Sequence, residues 1–398
     1  MALHEDADMD AQLARTMIGA YVGAADLGEA IATAQRVEAE DYDGWYDAWA
    51  TTAAAAQGAA DHAAARGLAS LAGPGYLRAA EYRRQSYFFL RHDLSDERVQ
   101  SGYRDHRSLF RRALPFLPLS VEPVSIPFEP VPLNGYVLRA DGGDPTPRPT
   151  VLFPGGFDGT CEEMYKYGAC SAVRHGWNAL TWDGPGQGGQ LIAHGVTMRP
   201  DFEAVLRPVV DWVVEQPSVA PDSVCLVGRS LGGYLGPRGV SAEPRIRALV
   251  ADPGQYDFTS RFVDMFSPGD WQRVLAGDAA MDDQLDGFLA DPRSRELYGS
   301  RMAAMGAARF GDWLRVLTTY SLEGRAEQIR CPTLVTEGEG DFASQSRKLF
   351  EALTCEKEFH AFSAREGAGG HCEGMGQTLW QDVVFTWLSA RMDAHRAH

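Results

Sequence analysis

The chain has 398 residues, 45% of them hydrophobic, with 37 Lys and Arg against 54 Asp and Glu and a formal net charge of −17. That length and apolar fraction suit one large or two modest globular units with a full core, which excludes an intrinsically disordered chain. The negative balance repels a phosphate backbone and no run approaches the roughly 18 apolar residues of a membrane span, so neither nucleic acid nor membrane is an expected partner.

The opening residues, Met1-Ala-Leu-His-Glu-Asp-Ala-Asp8, are acidic where a secretory signal is basic and then apolar, and a cytoplasmic protein is expected. Residues 1–118 contain little that reads as strand. Ala-rich and aromatic runs such as Ala53–Ala56 and Tyr82–Leu90 favour helix. Pro115, Pro118, Pro123, Pro127, Pro130 and Pro132 then punctuate β-branched and aromatic residues, the texture of edge strands and turns. A boundary near residue 118 follows, with a helical N-terminal region (1–118) before it.

From residue 149 short apolar runs alternate with helical stretches, which is the pattern of a parallel sheet covered on both faces. The predicted strands are Thr150–Phe153, Asn178–Trp182, Val224–Val227, Ala248–Ala251, Thr333–Thr336 and Phe359–Phe362; the clearest helices are Asp201–Glu215, which follows Pro200, and Gln377–Arg391. The sheet domain therefore comprises 119–257 and 329–398. Between them, 258–328 shows helical periodicity with many aromatics, among them Phe258, Phe262, Phe266, Trp271, Phe310, Trp313 and Tyr320, and is expected to form a helical lid inserted into the sheet domain. The six cysteines (Cys161, Cys170, Cys225, Cys331, Cys355 and Cys372) form no CxxC pair and mostly sit beside apolar residues, so reduced packing thiols and no metal site are expected.

The strongest local signal is Gly228-Arg-Ser230-Leu-Gly232, which follows a predicted strand and precedes the helical Tyr234–Val240. G-x-S-x-G in that context makes a sharp strand-to-helix turn that lifts the serine oxygen above the sheet. A serine hydroxyl needs a base within hydrogen-bond reach, itself oriented by a carboxylate, in the chain order Ser, acid, His. His371, in Gly367-Ala-Gly-Gly-His371 after the last strand, fits that order; His360 lies inside a strand, His175 and His194 precede the serine, and His4, His395 and His398 are terminal. Asp341 is the first choice of acid because it follows a strand at the carboxyl edge of the sheet. Asp252 ends a neighbouring strand, and Glu337 and Glu339 flank Asp341, so that choice stays open. The oxyanion donors expected are the amides of Leu231 and of Phe157, the latter in Pro154-Gly-Gly-Phe157 after the first parallel strand. Asp158 follows as a turn-forming carboxylate or an auxiliary acid able to hold a substrate hydroxyl, and Thr160-Cys-Glu-Glu163 reads as a capping box. Gly184-Pro-Gly-Gln-Gly-Gly189 matches G-x-G-x-x-G, but no helix is expected to open immediately after it and Pro185 removes an amide, so a turn shaping the pocket floor is the better reading than a dinucleotide site.

These residues resemble the α/β-hydrolase superfamily. Within it, Pro154-Gly-Gly-Phe-Asp-Gly-Thr-Cys-Glu-Glu163, Trp182-Asp-Gly-Pro-Gly-Gln-Gly188, Gly228-Arg-Ser-Leu-Gly-Gly-Tyr234 and Asp252-Pro-Gly254 are similar to the group of 2,6-dihydroxypseudooxynicotine hydrolase, the fungal yellowish-green pigment hydrolases and relatives of the fermentation-respiration switch protein. The resemblance implies an α/β-hydrolase fold with Ser230 as nucleophile, His371 as base, Asp341 as orienting acid and Asp158 as an acid assisting cleavage at carbon. It further implies an N-terminal helical region that packs over the active site and helps form a homodimer. The activity expected is hydrolysis of an acyl group, ester or carbon–carbon, in a hydrophobic small molecule without a cofactor. Two rivals are elimination of a small carboxylate from an acylated intermediate, and a hydrolase-fold protein that only binds its ligand.

Overall fold

Strands β1 (Ser120–Ile126), β2 (Leu133–Arg139), β3 (Arg148–Pro154), β4 (Asn178–Trp182), β5 (Val219–Arg229), β6 (Ala248–Asp252), β7 (Thr333–Gly338) and β8 (Lys357–Phe362) form one sheet, in the spatial order β1-β2-β4-β3-β5-β6-β7-β8. The computed structural model describes residues 3–140, 144 and 146–392; His395 and His398 lie outside these. Strands β3 to β8 are mutually parallel and β2 runs antiparallel to β4. This is the expected α/β-hydrolase architecture, with the proline-punctuated β1 at an edge, where a missing amide costs no ladder bond.

Register explains why these short runs can be buried on both faces. Val151 lies opposite both Ala179 and Cys225, Leu226 opposite Leu249, Val250 opposite Leu334, and Val335 opposite Phe359. Val151, Leu152, the run Val224–Val227, the run Ala248–Ala251, Leu334 and Val335 are all fully buried, as expected of parallel strands sandwiched between helices. Because the strands run the same way, their carboxyl ends at Pro154, Trp182, Arg229, Asp252 and Gly338 share one edge.

The chain divides into two compact units, Met1–Glu122 with Leu289–Ala303, and Pro123–Phe288 with Ala304–His398. In the first, the helix Tyr42–Ala65 is capped by the Asp41 carboxylate, which accepts from Gly44 N–H, and buries Trp45, Trp49, Ala53, Ala56, Ala60 and Ala63 at helical spacing. Its small residues admit the neighbouring helix Ala69–Ser86 closely: a Cβ on Gly75 would lie 2.8 Å from that of Ala60. Trp45 donates from Nε1 to the carbonyl of Gln85, and Trp49 packs on the buried Tyr82.

The insertion expected over 258–328 is helical, but it is not one body. The helix Pro292–Met305 belongs largely to the first unit because Gly299 packs on His92, leaving 2.9 Å for a Cβ, and Arg293 pairs with Asp8. The remaining insertion helices, Ser260–Val263, Pro268–Ala276, Ala279–Asp286 and Phe310–Leu317, stay with the sheet. Their stems close where Phe258 stacks on Tyr320 at 5.5 Å and both meet Tyr234, while Arg315 pairs with Asp282 to join two of the helices. The aromatics are mostly this segment's own core, although Phe288 is exposed, as is Met265.

Candidate active site

The turn after β5 is forced by local crowding. A Cβ on Gly228 would lie 2.0 Å from the carbonyl oxygen of Gly232, and one on Gly233 would lie 1.9 Å from that of Pro253, so both positions require glycine. Gly233 is the position that the G-x-S-x-G spacing does not mark; Gly232 itself has room for a Cβ. Between the glycines Ser230 takes φ +56°, in the left-handed region that non-glycine residues rarely adopt, and its amide is held by the carbonyl of Asp252 at 2.7 Å. The helix Gly232–Val240 begins immediately after it, which places the Leu231 amide at a helix N-terminus.

Ser230 Oγ lies 2.8 Å from His371 Nε2, and His371 Nδ1 lies 2.9 Å and 3.1 Å from the two carboxylate oxygens of Asp341. The network assigns the tautomer: Nδ1–H donates to Asp341 and Nε2 accepts from the serine hydroxyl. The Asp341 carboxylate is fully buried and accepts from the amides of Ala343 and Cys372 as well, so it is anchored both by its own loop and by the loop that carries His371. The residues proposed from spacing thus converge, although His371 lies 141 positions from Ser230.

Asp252 goes elsewhere. Its carboxylate accepts from Arg229 Nε at 2.8 Å and from the Thr336 hydroxyl at 2.9 Å, beneath the turn and not against the imidazole. Glu337 accepts from the Ser344 hydroxyl and Glu339 from the Ala364 amide. Cys372 Sγ comes within 3.7 Å of His371 Nε2, but burial, then the charge of Asp252, push its thiol pKa well up, which leaves it a poor rival to the serine.

The turn after β3 faces the serine. A Cβ on Gly156 would be 3.1 Å from Ser230 Cβ and 3.4 Å from its Oγ, so only glycine lets this backbone approach. Phe157 and Asp158 follow, both half-buried. The Gln187 amide pins the turn by donating to the carbonyls of Gly155 and Gly156 at 2.6 Å and 2.9 Å. Carbonyl and amide point opposite ways across a trans peptide, so fixing the Gly156 carbonyl also fixes the direction of the Phe157 N–H. The Thr160 hydroxyl caps the Glu163 amide as the capping-box pattern predicts, while the Glu163 carboxylate lies 3.3 Å from Lys166 Nζ.

One expectation about Gly184–Gly189 needs correction. A helix does open there, at Gly188–Ile192, but it is only five residues long. Its Gly189 amide is taken by the Asp183 carboxylate, which also accepts from Cys161 N–H. Burial, then the charge of Glu162, raise the Asp183 pKa. The motif ties two turns of the sheet edge together.

Sequence reasoning passed over Arg229. Its guanidinium is 4% exposed and donates to Asp252, to Gln377 Oε1 at 2.5 Å, to the Cys372 carbonyl at 2.7 Å and to Glu373 Oε2 at 3.2 Å. It also lies over the Trp380 ring at 4.1 Å. A buried arginine between two acids announces itself in sequence only through its place as the second residue of G-x-S-x-G. Phe342 was missed as well: its ring is 73% exposed and sits 4.9 Å from that of His371.

No family model matches the chain. It is 32% identical to hydrolase LUC6 of a Fusarium species over 403 residues, 94% of each protein. It is 31% identical to the 20-hydroxy-prefusarin hydrolase FUS2 of Gibberella moniliformis over 389 residues, 92% of each. The solved structure of 2,6-dihydroxy-pseudo-oxynicotine hydrolase superposes with a TM-score of 0.75 at 21% identity, covering 96% of both chains. With two relatives above 30% identity along nearly its whole length, and with that sheet and that turn, the chain belongs to the α/β-hydrolase superfamily and to a group of hydrolases within it.

Proposed function

We propose that the chain is a serine hydrolase that cleaves an acyl group from a hydrophobic small molecule. The observation that carries this reading is the unbroken relay from Ser230 Oγ through His371 to the buried Asp341, each step at hydrogen-bond distance. His371 takes the hydroxyl proton as Ser230 attacks a carbonyl carbon, and Asp341 stabilises the imidazolium that forms. The tetrahedral oxyanion is held by the amides of Leu231 and Phe157. His371 then returns the proton to the leaving group, and water releases the acyl-enzyme by the same steps.

An ester departs as an alkoxide. A carbon–carbon bond requires a stabilised carbanion or prior protonation at carbon, so the substrate in that case is a β-diketone or an acyl-phenol, and Asp158 is the acid placed beside the oxyanion turn to assist. The exposed Phe342 ring beside His371 offers apolar surface next to the reacting atoms. The name of the relative from Gibberella moniliformis, 20-hydroxy-prefusarin hydrolase, supports a small-molecule substrate of secondary metabolism. Labelling with a fluorophosphonate probe, followed by peptide mapping, tests the reading: an adduct on Ser230 that disappears in His371→Ala is expected. Folded protein that takes no label would instead favour a ligand-binding role.

A further inference from the structure

We propose that Arg229 is a positioning residue for the base, locking the loop that carries His371 to the turn that carries Ser230. This rests on the serine-hydrolase reading above and adds to it the device that holds nucleophile and base in register.

The loop needs such a device. It runs through Gly367, Gly369, Gly370, Gly374 and Gly376, and glycine imposes little backbone preference of its own. Directly after His371, both Cys372 and Glu373 are held at positive φ, +49° and +59°, a conformation that costs free energy at non-glycine residues and persists only when its surroundings impose it. Local preference therefore does not place the imidazole. The tether comes from Arg229, the residue immediately before the nucleophile, which donates to the carbonyl immediately after the base, that of Cys372, at 2.7 Å. Gln377, on the helix Gln377–Met392, grips the same carbonyl at 3.0 Å and that of Gly374 at 2.7 Å, and Arg229 Nη1 in turn holds the Gln377 side chain.

The guanidinium itself has no freedom to drift. Asp252 at the end of β6 holds its Nε, Glu373 shares its Nη2, and Trp380 covers one face. A planar fork can address these acceptors at once in fixed directions; an ammonium is a point donor on a flexible stem and cannot. A tether displaced by about 1 Å at His371 is enough to cost on the order of a hundredfold in rate.

The test uses Arg229→Lys, which keeps the buried charge that Asp252 requires, and reads two signals. One is steady-state hydrolysis of p-nitrophenyl acetate. The other is the low-field proton resonance of His371 Nδ1–H, assigned by its loss in Asp341→Asn. The expected result is a kcat lower by roughly ten- to a hundredfold, KM within about twofold, and a shifted or broadened Nδ1–H resonance. Gln377→Leu, which loosens the same carbonyl without adding or removing a charge, should move both signals the same way, and it carries the test if the lysine variant does not fold. The double variant should cost less than the product of the two singles, because both loosen one tether. Wild-type kcat with an unmoved resonance, or lost thermal stability with an unchanged rate per folded enzyme, would overturn the proposal. A wild-type protein with the resonance but no fluorophosphonate adduct would instead sink the hydrolase reading and leave the tether standing.

Discussion

Two buried arginines, one in each unit, form ion pairs with acids at very different separations along the chain. Arg84, in the helical unit, pairs through Nη2 and Nε with both oxygens of Glu81, three residues earlier on the same helix. Arg229 bonds to groups 23, 143, 144 and 148 positions away. The first pair consolidates a helix that its own residues already favour. The second joins two strand ends, the histidine loop and the last helix, so under the tether proposal its loss should be felt as misplaced chemistry and not only as lost stability. Burial of charge is costly in both places, and the Arg229 pairs lie beside the Ser230–His371 contact.

The sharpest way to break this contrast is at the reacting oxygen. Ser230→Ala is expected to lower kcat for ester hydrolysis by about 10⁴-fold or more with the thermal midpoint nearly unchanged, which separates chemistry from packing. Asp341→Asn should follow at roughly 10³- to 10⁴-fold, because the amide favours the wrong imidazole tautomer. Stopped hydrolysis assays on folded protein check both, and wild-type turnover in Asp341→Asn would remove Asp341 from the relay.

Next in size is the helical pair. Arg84→Met removes one half of the buried Arg84–Glu81 ion pair and should cost on the order of 3 kcal/mol in urea unfolding, with the rate per fluorophosphonate-titrated site unaltered. A matching loss of rate would erase the distinction between the two arginines.

The smallest expected effect refines the Arg229 cluster. Burial, and then the charge of Asp252, raise the Glu373 pKa well above the ordinary glutamate range. The folded state then binds this proton more tightly than the unfolded chain does. Its stabilising contribution is complete below the unfolded pKa of about 4.3 and is lost as the pH rises through the folded value. Glu373→Gln cannot ionise, so its urea midpoint should fall less steeply than the wild type's between about pH 5 and 8. Parallel slopes would show that Glu373 is ionised in the folded protein.

Much of the molecule is legible from local pattern alone. Apolar runs bounded by turns give the six parallel strands, though β5 extends beyond Val224–Val227 to Val219–Arg229. The crowding at Gly228 in the Ser230 elbow is equally local, arising within five residues, whereas that at Gly233 comes from Pro253, just past the end of the next strand. Spacing and chain order also bring His371 and Asp341 forward, since they lie in loops at one sheet edge. The helix Pro292–Met305 illustrates the limit: its helical period is plain, but which body it joins depends on Gly299 meeting His92, some two hundred residues away.

The amino-acid sequence by itself determined the strands, the strained serine turn and the set of side chains able to do the chemistry, because backbone preference and hydrophobic period act over a few neighbouring residues. Only the tertiary structure decided that Asp341 and not Asp252 meets the imidazole, and that Arg229 grips the loop beyond it. Those choices depend on which carboxylate and which carbonyl arrive within hydrogen-bond distance, and that is set by the packing of strands and helices far apart along the chain.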